Sequence, residues 1–152
     1  MNRPRQVVPS FVSTFLLADQ TLTGAGTWDV VLFDIVEPDG STTGIYDSTT
    51  GEFTAPCSGW FDIESQLQSS AALAGGVRIV RNGDTSFPLL ATISTDTINT
   101  IKRRIRLSIG ETVRIEANGT ADVLANAGTT PDARASYAML TMVKRFEDSE
   151  IF

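Results

Sequence analysis

The chain has 152 residues, a formal net charge of −6 and a charged fraction of 20%. This length is typical of one domain with a substantial buried core. The acidic balance argues against non-specific binding to nucleic acid or to anionic membranes, because the main attractive term in both cases needs a basic surface. We therefore expect no nucleic-acid partner. We also expect no membrane insertion, because the sequence has no run of about 18 apolar residues.

Residue types that carry catalysis or bind metals are scarce. Histidine is absent, which removes the commonest general base and the commonest metal ligand. Cys57 is the single cysteine, so no intrachain disulfide can form, and a catalytic thiol would lack a histidine partner. We expect Cys57 to be a small semi-buried residue near a turn. We also expect no cofactor and no enzymatic activity.

Residues 1–12 predict an extended N-terminal arm. Pro4 and Pro9 prevent a helix and bias the residues before them towards extended geometry. A disordered terminus and a docking arm both remain open as interpretations. In the second interpretation the docking residues are Arg3, Arg5, Val7, Val8 and Phe11. The segment lacks the uninterrupted apolar stretch of a secretion signal, so synthesis in a host cytoplasm is expected.

The first half of the chain predicts strands joined by polar turns. Residues 11–18 (FVSTFLLA) predict a first strand and residues 28–36 (WDVVLFDIV) a second. Both faces of the second strand are largely apolar, which predicts that a facing sheet or another subunit covers each side. Residues 19–26 predict a loop, and residues 42–46 a short strand.

The stretch 46–61 (YDSTTGEFTAPCSGWF) predicts two turns around a short strand at 52–54. From residue 60 to 69 the chain alternates between apolar and polar side chains. Phe61, Ile63 and Leu67, with Ser65 among them, are predicted to face the core. The residues predicted to face away from it are Trp60, Asp62, Glu64, Gln66 and Gln68.

Three further strands follow. Residues 77–80 predict a strand closed by a hairpin turn at Asn82-Gly83, and residues 88–95 predict the next one. Residues 98–109 fit a helix or a strand, but their β-branched residues and Gly110 favour a strand. Its inner face would hold Ile101, Ile105, Leu107 and Ile109, with Arg103 as an intruder. Its outer face would hold Lys102, Arg104, Arg106 and Ser108.

The last third of the chain predicts two strands and a long loop. In residues 112–117, Val113 and Ile115 are predicted to point inwards, and Arg114 and Glu116 outwards. The loop at 118–132 is long enough to be functional or packed against a neighbour. Residues 135–146 predict the final strand, and residues 147–152 form an acidic tail. About ten strands and no convincing helix predict an all-β sandwich or jelly roll spanning residues 13–146.

Several motifs in register resemble those of C1q-like domains, of the C1q and tumour-necrosis-factor jelly-roll superfamily. The matching residues are Phe33-Asp34, Tyr46-Asp47, Gly51, Phe53-Thr54, Gly59, Phe61, 77–83 (VRIVRNG), 107–113 (LSIGETV), Ser136-Tyr137 and Leu140. The resemblance implies a jelly-roll β-sandwich that assembles as a homotrimer. Three features depart from the pattern: Ala138 stands where a glycine is usual, the proline has moved to Pro56, and no collagen-like stalk is present.

By resemblance, the strand that begins at Trp60 and the strand with residues 102–106 are neighbours in the sheet that faces the three-fold axis. Asp62 and Glu64 would then form charge pairs with Arg104 and Arg106, within or between subunits. The residues expected at the trimer interface are Trp28, Trp60, Asp62, Glu64, Lys102, Arg104, Arg106 and Tyr137.

The first functional hypothesis is a structural protein on the surface of a virus or phage particle. It would be a capsid decoration protein or a fibre or spike component, docked through its arm onto a capsid or tail protein, with a host surface receptor as a further possible partner. The alternative is a ligand-binding module for protein, glycan or calcium on apical loops. The oxygen ligands for calcium would come from Asp39, Asp47, Asp84, Asp96, Asn126 and Asp132.

Overall fold

A computed structural model describes residues 11–37, 45–86, 88–92, 96–125 and 135–146. These residues contain strands and no helix. The strands are β1 (Phe11–Phe15), β2 (Gln20–Thr21), β3 (Trp28–Val30), β4 (Ile35–Glu37), β5 (Tyr46–Asp47), β6 (Glu52–Thr54), β7 (Gly59–Gln68), β8 (Gly76–Arg81), β9 (Leu90–Thr92), β10 (Ile98–Leu107), β11 (Thr112–Asn118), β12 (Asp122–Val123) and β13 (Tyr137–Arg145).

Two antiparallel sheets pack face to face. The first sheet has the order β10-β7-β13-β1-β4. The second has the order β5-β6-β11-β8-β9. On one side of β11, β6 pairs with residues 112–114 and β3 pairs with residues 116–118. The inner faces enclose one apolar core. This confirms the prediction of an all-β sandwich.

The alternation along β7 is present as predicted. Phe61, Ile63 and Leu67 are fully buried between the sheets, and Trp60 lies on the opposite face. Ser65 shares the buried face, and its hydroxyl donates a hydrogen bond of 2.9 Å to the carbonyl oxygen of Tyr137. That bond satisfies the one polar side chain in the buried row, so the row costs little desolvation energy.

Residues 98–107 form a strand rather than a helix. Ile101 and Ile105 are buried, because the ten-residue β10 lies antiparallel to β7 along its whole length. The prediction that Ile109 faces the core is wrong, since its side chain is 69% exposed. The strand ends at Leu107, and the chain then turns at Gly110, whose φ of 85° requires a left-handed conformation.

The segment 28–36 is two strands rather than one. β3 pairs with β11 in the second sheet, whereas β4 pairs with β1 in the first. The chain crosses between the sheets at residues 31–34, with Val31 and Phe33 buried and Leu32 exposed. Tyr46 supports the crossing, because its hydroxyl accepts a 2.8 Å hydrogen bond from the amide of Phe33.

The predicted loops contain a small third sheet. β2 lies within residues 19–26 and β12 within residues 118–132, and the two pair antiparallel. The predicted strand at 88–95 is represented by β9, with residues 93–95 outside the described part. The predicted turn at Asn82-Gly83 is a type I′ turn, since the φ angles are 50° and 70° and Asp84 N donates to Arg81 O at 2.9 Å.

Candidate interface on the first sheet

The outer face of the first sheet carries seven of the eight residues predicted for a subunit interface. They are Trp60, Asp62 and Glu64 on β7, Lys102, Arg104 and Arg106 on β10, and Tyr137 on β13. They lie together because β7 pairs with β10 on one side and with β13 on the other. Alternation along each strand then turns these side chains away from the core.

Asp62 and Arg104 are directly opposite each other on β7 and β10. The guanidinium donates two hydrogen bonds to the carboxylate, Nε to Oδ1 at 2.9 Å and Nη2 to Oδ2 at 3.1 Å. The hydrogen bond from Arg104 holds the pKa of Asp62 below its ordinary value. This two-point contact fixes the direction of both side chains on an exposed surface.

Glu64 connects three strands of the same face. Its Oε1 accepts a 3.1 Å hydrogen bond from the hydroxyl of Tyr137, and its Oε2 lies 3.9 Å from Nζ of Lys102. Burial, and then the neighbouring Glu64, raise the pKa of the Tyr137 hydroxyl. The face therefore has a row of ordered polar contacts that runs from β10 through β7 to β13.

One end of the face is an aromatic cluster. The rings of Trp60 and Phe146 meet edge to face with centroids 6.4 Å apart, and the Arg106 guanidinium lies 4.7 Å from the Phe146 centroid. Trp60 remains 39% exposed. No sequence pattern indicated the role of Phe146. This residue follows the last strand, and its amide donates a 3.0 Å hydrogen bond to the Ser58 carbonyl, which holds the ring against the face.

Trp28 lies apart from the other seven residues, on the outer face of the second sheet. Its ring packs against Arg78, whose guanidinium carbon is 4.1 Å from the ring centroid. Since β3 pairs with β11 and not with a strand of the first sheet, Trp28 does not share a face with Trp60. An interface built on the first sheet therefore excludes Trp28.

The second sheet contains a buried ion network. Glu116 points away from the core, as predicted, but its side chain is only 2% exposed. Arg78 lies opposite Glu116 on β8 and donates from Nε at 2.8 Å to Oε1. Arg114, two residues earlier on β11, donates from Nε at 2.7 Å to Oε2 and reaches Glu52 at 3.6 Å.

A cleft of about 450 Å³ lies where the β8 hairpin meets the turn before β11, and its lining residues are Arg81, Asn82, Asp84, Leu89 and Glu111. Glu111 joins the two turns. It accepts hydrogen bonds from the Ser108 amide at 2.8 Å, from Arg81 at 3.0 Å and from Asn82 at 3.1 Å. The Ser108 bond is the main cause of a lowered Glu111 pKa. The carboxylate is thus committed to holding the turns together.

The predicted calcium ligands do not form a site in the described part of the chain, which contains no cluster of three or more acidic or cysteine side chains. Asp47 and Asp84 instead accept hydrogen bonds from the amides of Thr49 and Ser86, as turn residues do. Asp39, Asn126 and Asp132 lie outside the described residues.

Cys57 is buried, with 5% of its surface exposed, and its Sγ lies 3.6 Å from Sδ of Met142. Burial raises the pKa of the thiol. Among the described residues, no helix is long and apolar enough to cross a membrane. Of the predicted docking arm, Phe11 begins β1 and residues 1–10 lie outside the described part, as does the tail at 147–152.

Comparison with solved structures identifies the architecture. The globular domain of the zebrafish complement 1qA protein superposes with a TM-score of 0.61 over 91% of this chain and all of that one, at 16% identity. The fold is a C1q/TNF-like jelly roll. A crystal structure of pika GITRL agrees, with a TM-score of 0.53, 10% identity and coverage of 89% and 97% of the two chains. No protein-family model matches the sequence. No curated protein matches it either.

Proposed function

We propose that this chain is a non-enzymatic homotrimer that assembles through the outer face of the first sheet. The observation that carries the proposal is the composition of that face. Trp60 and Val143 are 39% and 44% exposed, beside half-buried Tyr137 and Met139 and an ordered Asp62–Arg104 pair. A face that combines exposed large apolar groups with aligned charges is typical of a protein contact surface.

Charge pairs on this face set the register of the subunits more than they stabilise the assembly, because exposed ion pairs contribute little net free energy. Arg104→Glu places a carboxylate beside Asp62 and should prevent the trimer or loosen it markedly. Arg103→Glu is the matched control. It reverses the neighbouring charge on the same strand, but residue 103 lies in register with Ile63 and off the outer face.

The experiment is size-exclusion chromatography with light scattering on the wild type and both variants. We expect a trimer for the wild type and for Arg103→Glu, and smaller species for Arg104→Glu. If Arg104→Glu still forms the same trimer at every concentration, the outer face of the first sheet is not the subunit interface. Circular dichroism on the same samples separates loss of assembly from loss of fold.

We further propose that the trimer is a surface component of a virus or phage particle, as a capsid decoration protein or as part of a head or tail fibre or spike. In this proposal the arm, with Arg3 and Arg5 on an otherwise acidic chain, docks onto a capsid or tail protein of the same particle. The support is compositional: an arm with two arginines and two prolines precedes a domain in a chain whose net charge is −6.

Two measurements test the particle proposal. Capsid and tail genes beside the gene for this chain would support it, whereas a neighbourhood of host metabolic or signalling genes would contradict it. In purified particles, the wild-type chain should be present and the Arg3→Glu/Arg5→Glu variant should be lost, although the variant still forms trimers. Retention of both at equal amounts would show that the arm does not dock the protein.

A receptor- or ligand-binding module is the second candidate, and the cleft beside Glu111 favours it. That cleft combines the Arg81 guanidinium and the Glu111 carboxylate with the apolar Leu89, a mixture that suits a polar ligand with an apolar group. A glycan array probed with the trimer is the direct test. Binding that Leu89→Ser abolishes, without loss of the trimer, would favour this candidate over a purely structural role.

A further inference from the structure

The sequence contains two Asn-Gly dipeptides, and the fold places them in opposite environments. Asn82 and Gly83 are exposed at the centre of the hairpin turn after β8. Asn118 and Gly119 are buried at the end of β11, where the Asn118 side chain fills the space in which a Cβ of Gly75 would lie. The side-chain amide of an asparagine before a glycine is open to attack by the next backbone nitrogen, because glycine has no side chain to hinder the approach. The two dipeptides therefore share one reactivity but differ in their access to solvent.

The Asn82 side chain is held by the start of β11 and by the turn before it. Its Oδ1 accepts a 2.9 Å hydrogen bond from the Thr112 amide, and its Nδ2 donates to Oε1 of Glu111 at 3.1 Å. Among the described residues, nothing accepts a hydrogen bond from the amide of Gly83, so this nitrogen is free to lose its proton to the solvent. The Thr112 amide points at the oxygen that gains negative charge when the side-chain carbonyl is attacked, and it stabilises that charge.

We propose that Asn82 is the site of a covalent modification, an intramolecular deamidation. The Gly83 nitrogen loses its proton and forms a bond to Cγ of Asn82. The bond from Cγ to Nδ2 breaks, and the side-chain nitrogen gains a proton and leaves as ammonia, so the two proton transfers cancel. Water then opens the cyclic imide and leaves an aspartate or an isoaspartate at this position. The reaction needs no oxidant, reductant or enzyme, and water is its only co-reactant.

Deamidation reverses the contact between Asn82 and Glu111. A carboxylate oxygen takes the place of Nδ2, which lies 3.1 Å from Oε1 of Glu111. Glu111 is ionised at neutral pH because its pKa is lowered, so two like charges then face each other without a donor between them. Since Glu111 also holds Ser108 and Arg81, the modification loosens the junction of the two turns and adds negative charge to the cleft. This inference depends neither on the proposed trimer nor on a ligand in the cleft.

The first test compares the two dipeptides in one sample of the wild-type chain. The folded protein is incubated in mildly alkaline heavy-oxygen water, and mass spectrometry of its proteolytic peptides follows both asparagines. We expect Asn82 to convert at least about tenfold faster than Asn118 and to gain heavy oxygen from the solvent, because the buried dipeptide reacts only through local unfolding. Equal rates would overturn the proposal. It would also be overturned if Asn82 of the folded protein stayed intact over the time in which the urea-unfolded chain converts.

The second test measures the consequence for the turns. Asn82→Asp reproduces the aspartate product, and it should lower the midpoint of urea unfolding at neutral pH. In the background Glu111→Gln the same substitution should lower the midpoint less, because an amide at position 111 can donate a hydrogen bond to the new carboxylate. Equal shifts in the two backgrounds would show that the new charge does not act on Glu111, and they would overturn the proposed loosening of the junction.

Discussion

Replacing Glu116 by Gln is expected to weaken the fold strongly, although the change removes a single charge and preserves the size of the side chain. Glu116 is 2% exposed and accepts hydrogen bonds from Arg78 at 2.8 Å and from Arg114 at 2.7 Å. An amide at this position keeps one acceptor oxygen but directs an NH₂ group towards a guanidinium. The substitution therefore breaks the network at its centre.

The magnitude follows from what remains buried. Arg78 is 8% exposed, so after the substitution its charge lies in a low-dielectric site without a counter-ion. Removing one partner of a buried ion pair costs about 3–5 kcal/mol. That is a large part of the roughly 5–15 kcal/mol by which domains are stable. For a chain of this length it corresponds to a fall in Tm of roughly 6–20 °C.

Urea unfolding at one fixed protein concentration measures the effect, and Glu52→Gln is the matched control. Glu52 also faces Arg114, but at 3.6 Å and with 28% of its side chain exposed, so its loss should cost about 0–1 kcal/mol. A midpoint for Glu116→Gln that lies no lower than that for Glu52→Gln would refute the reasoning. The result would mean that solvent reaches Arg78 when its partner is removed.

Three further predictions address the turns and the thiol. Gly51→Ala should lower the free energy of unfolding in urea more than Gly83→Ala does. Both glycines have φ near 70°, but a Cβ at Gly51 would lie 2.5 Å from Val30 Cγ1, whereas a Cβ at Gly83 would meet nothing closer than 3.7 Å. Equal losses of about 1 kcal/mol would show that the contact with Val30 has no effect. Folding lowers the Glu111 pKa from 4.5, so the ionised carboxylate stabilises the fold above that pH and the stabilisation is lost as the pH falls through the lowered pKa. The difference in unfolding free energy between wild type and Glu111→Gln should therefore shrink in acid. A difference that stays constant with pH would contradict this prediction. Native Cys57 should react with a thiol reagent at least tenfold more slowly than in urea, and equal rates would show that the thiol is accessible.

Local patterns were sufficient to predict most of the described sheet structure. The alternation of β7 assigned its inner and outer faces, because a strand with one buried face has a strict period of two. β-branched residues identified β10 as a strand, and Asn82-Gly83 identified a hairpin turn. Each of these features is determined by residues close together in the sequence.

Features that depend on contacts between distant strands were not predictable in the same way. The segment 28–36 is largely apolar on both faces while it crosses between the sheets, so Val31 and Phe33 did not indicate the break. Glu116 is buried because the register of β11 places it opposite Arg78, and a single strand does not reveal its register.

The residues of the candidate interface were also predicted only in part. The resemblance to C1q-like domains paired β7 with β10, and Asp62 and Arg104 are opposite each other in that pairing. Trp28 was expected at the interface because it is a large aromatic residue on a strand with two apolar faces, but the topology puts it on the second sheet. Phe146 lies one residue past the last strand, where no periodic pattern extends.

The mass of the protein in solution is the most direct test of assembly through the first sheet. Light scattering should give three times the chain mass of 16.4 kDa, or about 49 kDa, over a concentration range that spans at least about a hundredfold, and Arg104→Glu should reduce it. A wild-type mass of one or two chains across that range would contradict the central claim.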